Sequence, residues 1–358
     1  MGKLEQGDRM RVARQAVIQG GVGALLGVGL AGAVSAKTVF CAWDVLGKAG
    51  DTYAMLQDYA VAMGRHGVDL ELKAYVDERV AAEDFRTGQC AGVILTGFRA
   101  RPFNQASGSL DSMGSTTIVH EGRIDMPASY DVLKRLIQVF ASPQAAKLMV
   151  DGKYEVGGIV PIGAAYPIVR DRRLAPLPAM SGKRVGAFDN DRAQAWLVQK
   201  MGAQPVAVDV TSVGPKFNNG QMDVIFLPAL TYRPFELAKG MGSHGAFVRM
   251  PVMLPTFQVV LDKGAFPEGF GQTSRSFWVS QYERAMQLIA RAEASVPASA
   301  WHDLGPEQIA PYVDMLRQGR LQGVEDGLYS KRTLNLLKKA RCQISPGVAE
   351  CATPTEAQ

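Results

Sequence analysis

The positions where this sequence could carry chemistry exclude more functions than they suggest. The hexapeptide GMGSHG (240–245) has the letters of a dinucleotide loop, but it follows a helical stretch and leads into a strand. That is the reverse of the order that sets a phosphate on a helix N-terminus. The sequence has no P-loop and no H-E-x-x-H pair, and LDSMG (110–114) lacks the leading glycine of a nucleophile elbow. His66, His120, His244 and His302 are scattered through loop and turn contexts. A triad can assemble from distant residues, so missing motifs do not exclude catalysis, but no ordered nucleophile–base pair stands out, and no enzyme, cofactor or metal is expected.

The four cysteines, Cys41, Cys90, Cys342 and Cys351, show neither a C-x-x-C nor a zinc spacing. An even number in an exported chain indicates structural disulfides. Of the three possible pairings, Cys41–Cys90 with Cys342–Cys351 is favoured: the second closes a short C-terminal loop, and the first joins neighbouring elements of one lobe.

Export itself is read from the first 36 residues. Lys3, Arg9, Arg11 and Arg14 outweigh Glu5 and Asp8, an apolar Gly-rich run follows from Val22 to Ala33, and AVSA ends it with small residues at Val34 and Ala36. The run is shorter than the roughly 20 residues that span a bilayer. It reads as a cleaved secretory signal, with the mature protein in the periplasm. Removing 36 of 358 residues leaves 322, enough for two domains, and the formal charge falls from +5 to +3. Without a Lys/Arg cluster, no nucleic-acid partner is expected.

The elements that would position a site come in two similar sets. Residues 51–64 have helical periodicity, 68–76 alternate as a strand, Asp77 can cap a helix to Phe85, and Cys90 to Leu95 form another strand. The same order returns as strand 184–188, helix 191–201, strand 205–210, short helix 212–219 and strand 223–227. FRTGQCAGVILTGFRARPF (85–103) lies without a gap over FNNGQMDVIFLPALTYRPF (217–235), an offset of 217 − 85 = 132. A helix-Gly-strand joint explains Gly88 and Gly220, but not the matched Gln and Arg-Pro-Phe, which indicate a duplicated architecture. Strand-rich stretches 154–174 and 245–266 run between the halves as hinge strands. Helices are expected over 277–293, 305–318 and 324–341, then a disordered tail. The organisation expected is signal 1–36, first part of lobe I 37–158, lobe II 159–244, return hinge strand and helix to lobe I 245–300, C-terminal helices 301–341, and disulfide loop and tail 342–358.

Open α/β sheets bind ligands beyond the carboxyl ends of their strands. That rule selects Trp43, Asp44, Thr96, Phe98 and Arg99 from the first half, and Phe188, Asn190, Asp191, Thr231 and Tyr232 from the second. Tyr166 and Arg170 join them from the hinge. Trp43, Phe188 and Tyr232 would supply walls, and Arg99 or Arg170 a charge. The polar stretch NQASGSLDSMGSTT (104–117) is either a mobile lid or a flexible connection.

Four stretches carry a resemblance: TVFCAWDVLGKAGDTY (38–53), DFRTGQCAGVILTG (84–97), LPAMSGKRVGAFDNDRAQAWLVQKMGAQPVAVDV (177–210) and PEGFGQTSRSFW (267–278). Together they resemble the periplasmic solute-binding proteins of TRAP transporters, the DctP-like type. TGFRARPFNQASGSLDSMG and PIGAAYPIVRDR resemble its AdeT-like solute-binding family, some of whose members carry an RND-type efflux label. The resemblance implies an α/β fold of periplasmic-binding-protein type, with two lobes of mainly parallel sheet, hinge strands and C-terminal helices. It also implies a monomer that works with inner-membrane transporter subunits or efflux components. DctP-like proteins place an arginine in the second-lobe strand to pair with a ligand carboxylate, a role that suits a planar guanidinium. The corresponding position in SGKRVGAF is Gly186, so Arg99 or Arg170 would have to substitute. The expected function is capture of a small polar or organic-acid ligand between lobes that close by hinge motion. The alternative is an efflux-pump accessory or envelope interaction protein of the same fold without a small ligand.

Overall fold

The computed structural model describes residues 37–352. The expected signal segment and the last residues of the expected tail lie outside the described residues.

Two six-stranded sheets form the body. The first contains β1 (Thr38–Trp43), β2 (Leu70–Tyr75) and β3 (Gly92–Thr96), running parallel in the order β2-β1-β3. The hairpin β4 (Ile118–His120) and β5 (Arg123–Asp125) stands apart, while β6 (Val150–Asp151) and β7 (Tyr154–Pro161) close the far edge of the first sheet. The chain then crosses to β8 (Ala165–Val169) in the second sheet, where β9 (Arg184–Phe188), β10 (Gln204–Val208) and β11 (Val224–Pro228) repeat the parallel trio as β10-β9-β11. After β12 (Ala246–Val248) it returns as β13 (Thr256–Asp262), antiparallel to both β3 and β7, and β14 (Trp301–His302) completes the second sheet.

The offset of 132 read from the letters holds in space. Adding it to β3 gives the span of β11, 224–228. Phe85 and Phe217 are both buried at the ends of the preceding helices. Gly88 and Gly220 have φ of 82° and 72°, the left-handed turn that ends a helix and that glycine enters without steric cost. Each trio is followed by an antiparallel neighbour delivered from the other lobe: β13 beside β3, and β8 beside β11. The sheet of lobe I keeps β7 past residue 158, and that of lobe II takes in β12 and β14 from beyond residue 244.

The hinge strands are short strands joined by crossings rather than continuous ribbons. Ile162 N–H donates to Pro255 O at 3.1 Å, Ala165 N–H to Met253 O at 3.0 Å, and Val252 N–H to Ala165 O at 2.9 Å, so the two crossings are laddered together. Gly163 sits between them with φ 105°.

Both disulfides form as the sequence indicated, Cys41–Cys90 and Cys342–Cys351. The first closes a separation of 49 residues, which in the chain-entropy picture contributes about 4 kcal/mol. The helix expected over 277–293 is two helices, Phe270–Ser280 and Tyr282–Ala294, and the later ones run Pro306–Glu325 and Lys331–Ile344.

Residues 104–117 are neither lid nor flexible connection. Ser107, Ser109, Asp111, Ser112, Ser115 and Thr116 are buried. The serine hydroxyls are used internally: Ser107 Oγ donates to Gln258 Oε1 at 2.7 Å, Ser109 Oγ to Gln105 O at 2.7 Å, Ser112 Oγ to Ser109 O at 2.8 Å and Ser115 Oγ to Leu110 O at 2.9 Å. The C-terminal helices hold the segment from outside. Arg320 Nη1 donates to Met113 O at 2.7 Å, Thr333 Oγ1 to Ala106 O at 3.0 Å, and Arg341 to Ser115 O. The serines therefore mark a hydrogen-bonded buried loop, since most buried polar groups are paired.

At Gly163 an added Cβ would meet no atom closer than 3.5 Å, so the φ alone opposes a side chain. We expect Gly163→Ala to lower the unfolding free energy by about 1–3 kcal/mol in urea titrations, with the disulfides intact.

Candidate functional site

The carboxyl ends of β1, β3, β9 and β11 face a common cavity of about 600 Å³. Trp43, Thr96, Phe188 and Leu227–Leu230 come from those ends, Val160, Ile162, Ala165 and Pro255 from the hinge crossings, and Leu288, Ile289 and Ala292 from the helix Tyr282–Ala294. Phe98 of lobe I lies on Phe188 of lobe II with ring centroids 5.3 Å apart, and Trp43 meets Phe257 edge-on at 5.4 Å. Aromatic pairs at these separations contribute beyond their buried area.

Of the candidates read from the sequence, Trp43, Asp44, Thr96, Phe98, Phe188, Asp191 and Thr231 line the cavity. Trp43 is fixed by its indole N–H donating to Val76 O at 3.3 Å. Asp44 is committed to the backbone: it accepts from Leu46 N–H at 2.8 Å, Thr52 N–H at 2.9 Å and Tyr53 N–H at 3.2 Å, holding the entry to the helix Asp51–Gly64. Burial raises its pKa against the pull of those three donors.

Arg99 and Asn190 meet each other instead of lining the cavity. Arg99 Nη2 donates to Asn190 Oδ1 at 3.1 Å across the lobes, while its Nε donates to the buried Glu78 at 3.1 Å. Two positions on, Arg101 Nη1 reaches Asp191 Oδ1 at 3.3 Å, both side chains being buried. Two further residues of the sequence reading lie elsewhere in lobe II. Tyr166 points its hydroxyl to Glu293 Oε1 at 2.9 Å and its ring to Trp301, and Tyr232 packs edge-on against Phe247. Arg170 is at the wrong end of the sheet. Because β8 runs antiparallel to β11, its last residue, Val169, pairs with the first residue of β11, Val224. Arg170 Nη1 accordingly donates to Phe217 O at 2.6 Å, at the amino end of the trio.

Gly186, at the β9 position of the DctP-like arginine, has tight surroundings. A Cβ on Gly186 would lie 3.0 Å from Met222 Sδ and 3.1 Å from Ile225 Cγ2, inside lobe II. Arg184 pairs with Asp223 through contacts of 2.7 and 3.1 Å at the start of the strand.

Two buried carboxylates brace the lobe I rim in the same way. Glu78 accepts from the N–H and hydroxyl of Thr96 at 2.6 and 2.7 Å, beside Arg99. Asp111 accepts from the N–H and hydroxyl of Thr256 at 2.9 and 2.8 Å, and feels the charges of Arg101 and Asp191. Thr96 and Thr256 stand at the ends of adjacent strands. Each acid, itself raised in pKa by burial, fixes a strand end next to an arginine that reaches lobe II. Sequence reasoning missed Glu78, Arg101 and Asp111. The one available signal was that Arg101 belongs to the matched Arg-Pro-Phe, whose counterpart Arg233 is exposed at the cavity edge.

A model of the family "Solute-binding protein AdeT 1/2" matches residues 58–356. The chain belongs to this family. A curated relative from Acinetobacter baumannii, named "Probable solute-binding protein AdeT1", is 43% identical over 314 residues, covering 88% of this chain and 100% of the relative. A second from the same organism, named for AdeT2, is 26% identical over 218 residues, covering 61% and 92%. Among solved structures, TRAP periplasmic solute-binding proteins share the fold. The one from Anaerococcus prevotii, with bound D-glucuronate, has TM-score 0.69 and 11% identity over 86% of this chain and 99% of that one. The one from Desulfovibrio salexigens, with bound orotic acid, has TM-score 0.64 and 12% identity over 86% and 99%. This AdeT-family chain thus keeps the two-lobed TRAP fold around a cavity whose wall carries its own chemistry.

Burial pushes the Asp111 carboxyl up to about 7. Between the unfolded value near 4 and that pH, the folded chain keeps a proton the unfolded chain has lost. The associated stability is full below pH 4 and falls as pH rises through 7, by on the order of 4 kcal/mol. In urea titrations across this range, Asp111→Asn is expected to flatten the decline.

Proposed function

We propose that this protein is a periplasmic solute-binding protein that encloses one small molecule between its lobes and presents it to inner-membrane transporter subunits. The observation that carries this reading is the open cavity of about 600 Å³ where the carboxyl ends of strands from both sheets converge. Its size suits a single small ligand. Family membership and the names of the relatives support a binding role without catalysis. Location in the periplasm is supported by the secretory character of residues 1–36 and by two disulfides, which persist in oxidising compartments. The ligand-contacting residues of this reading are Trp43, Phe98 and Phe188, with Asp44 at the rim. Arg99 and Asn190 tie lobe to lobe.

The rival reading, an efflux accessory of the same fold with no small ligand, needs a cleft plugged by side chains, and the open cavity disfavours it. Native mass spectrometry of protein isolated from the periplasm is the test. One small-molecule adduct per chain is expected, absent from a folded Ala292→Trp variant in which the indole fills the cavity. Unliganded protein under all isolation conditions would favour the accessory role.

A further inference from the structure

The wall of the cavity specifies what kind of molecule it takes, and this inference rests on the small-molecule reading above. Facing the space are rings and branched aliphatics: Trp43, Phe98, Phe188, Leu230, Phe257 and Ile289. Cations that could meet an anion are placed elsewhere. Arg99 is held by Glu78 and Asn190, Arg101 by Asp191, and β9 carries Gly186. The arginines at the cavity edge, Arg233 and Arg291, are both exposed, where water and salt screen them. A carboxylate enclosed by this wall would lose its hydration without gaining a desolvated partner.

A polar anchor remains at the start of the helix Arg192–Lys200. Gln194 is 5% exposed and lines the cavity. Its Oε1 accepts from Phe188 N–H at 2.6 Å, which orients the carboxamide, because only its oxygen can accept. The Nε2 donors are left without a protein partner. Asp191, the N-cap of this helix and also part of the cavity wall, uses Oδ1 for Ala193 N–H at 3.1 Å and for Arg101, while Oδ2 accepts nothing from the protein. The hydroxyls of Thr96, Thr231 and Ser295 in the same wall donate to Glu78, Pro228 O and Ala292 O, so Gln194 Nε2 and Asp191 Oδ2 stand out as a donor and an acceptor left open beside the rings.

The geometry points to a ring-bearing, largely apolar ligand with one uncharged polar group, a hydroxyl or a carboxamide, that accepts from Gln194 Nε2 and donates to Asp191 Oδ2. This differs from the glucuronate and orotic acid found in the structural relatives.

The test is calorimetric titration of the full exported chain, stripped of small molecules, with 2-naphthamide, 2-naphthoate and D-glucuronate. The amide is expected to bind at least tenfold more tightly than either acid. Gln194→Glu keeps an oxygen for Phe188 N–H and removes the donor, and it is expected to weaken amide binding about fivefold. If that variant does not fold, the ranking of the three compounds on the unaltered protein still decides. Tighter or equal binding of either acid, or no binding of any of the three, overturns the ligand class. Whether the isolated protein carries an adduct in the mass spectrum then separates failure of this inference from failure of the small-molecule reading.

Discussion

The laddered crossing between the sheets is the constraint on which the rest of this molecule depends. The chain leaves lobe I after Pro161, enters lobe II at Ala165 and comes back between Val248 and Thr256, and the two passages hydrogen-bond to each other. Because each lobe receives one antiparallel strand from the other, the parallel trios are held with their carboxyl ends toward a shared space. The site proposed above lies where open α/β sheets place their ligands. The crossing is narrow, and Gly163 within it takes a φ in the left-handed region.

The polar residues of the cleft rim serve mainly to join the lobes. Glu78 with Thr96 and Arg99, and Asp111 with Thr256 and Arg101, form parallel braces whose arginines reach Asn190 and Asp191. A buried ion pair such as Arg101–Asp191 adds little net stability over an apolar contact, but loss of one partner is costly. The pair joins the two lobes through side chains that are both buried. With those charges committed, aromatic and aliphatic groups cover the cavity wall.

The duplicated architecture was legible because a helix end, a left-handed glycine and a buried strand impose residue types at fixed spacing, and the 132-residue offset preserved them. The disulfides were legible from parity and the short C-terminal spacing. Residues 104–117 were not, because serine and glycine look alike in a solvated loop and in a buried loop clamped by the helices Pro306–Glu325 and Lys331–Ile344. Arg170 was misplaced because periodicity reveals a strand but not its direction. The helix Met126–Ala141 was passed over, although its signals were present: Asp125 caps it and Pro127 starts it, with Val132, Leu133, Leu136, Ile137 and Phe140 on its buried face. The interlobe role of Arg99 and Arg101 depends on contacts 91 and 90 residues apart, which no local pattern encodes.

The claim that two hinged bodies clamp a molecule at their seam is tested most directly by the distance between them. Spin labels at Val61 on lobe I and Lys200 on lobe II, both exposed, would be measured by double electron–electron resonance on ligand-stripped protein, before and after return of the small molecule released from it. The account predicts a broad or longer distribution that narrows to the shorter distance on reloading. An identical single distribution in both states would contradict it.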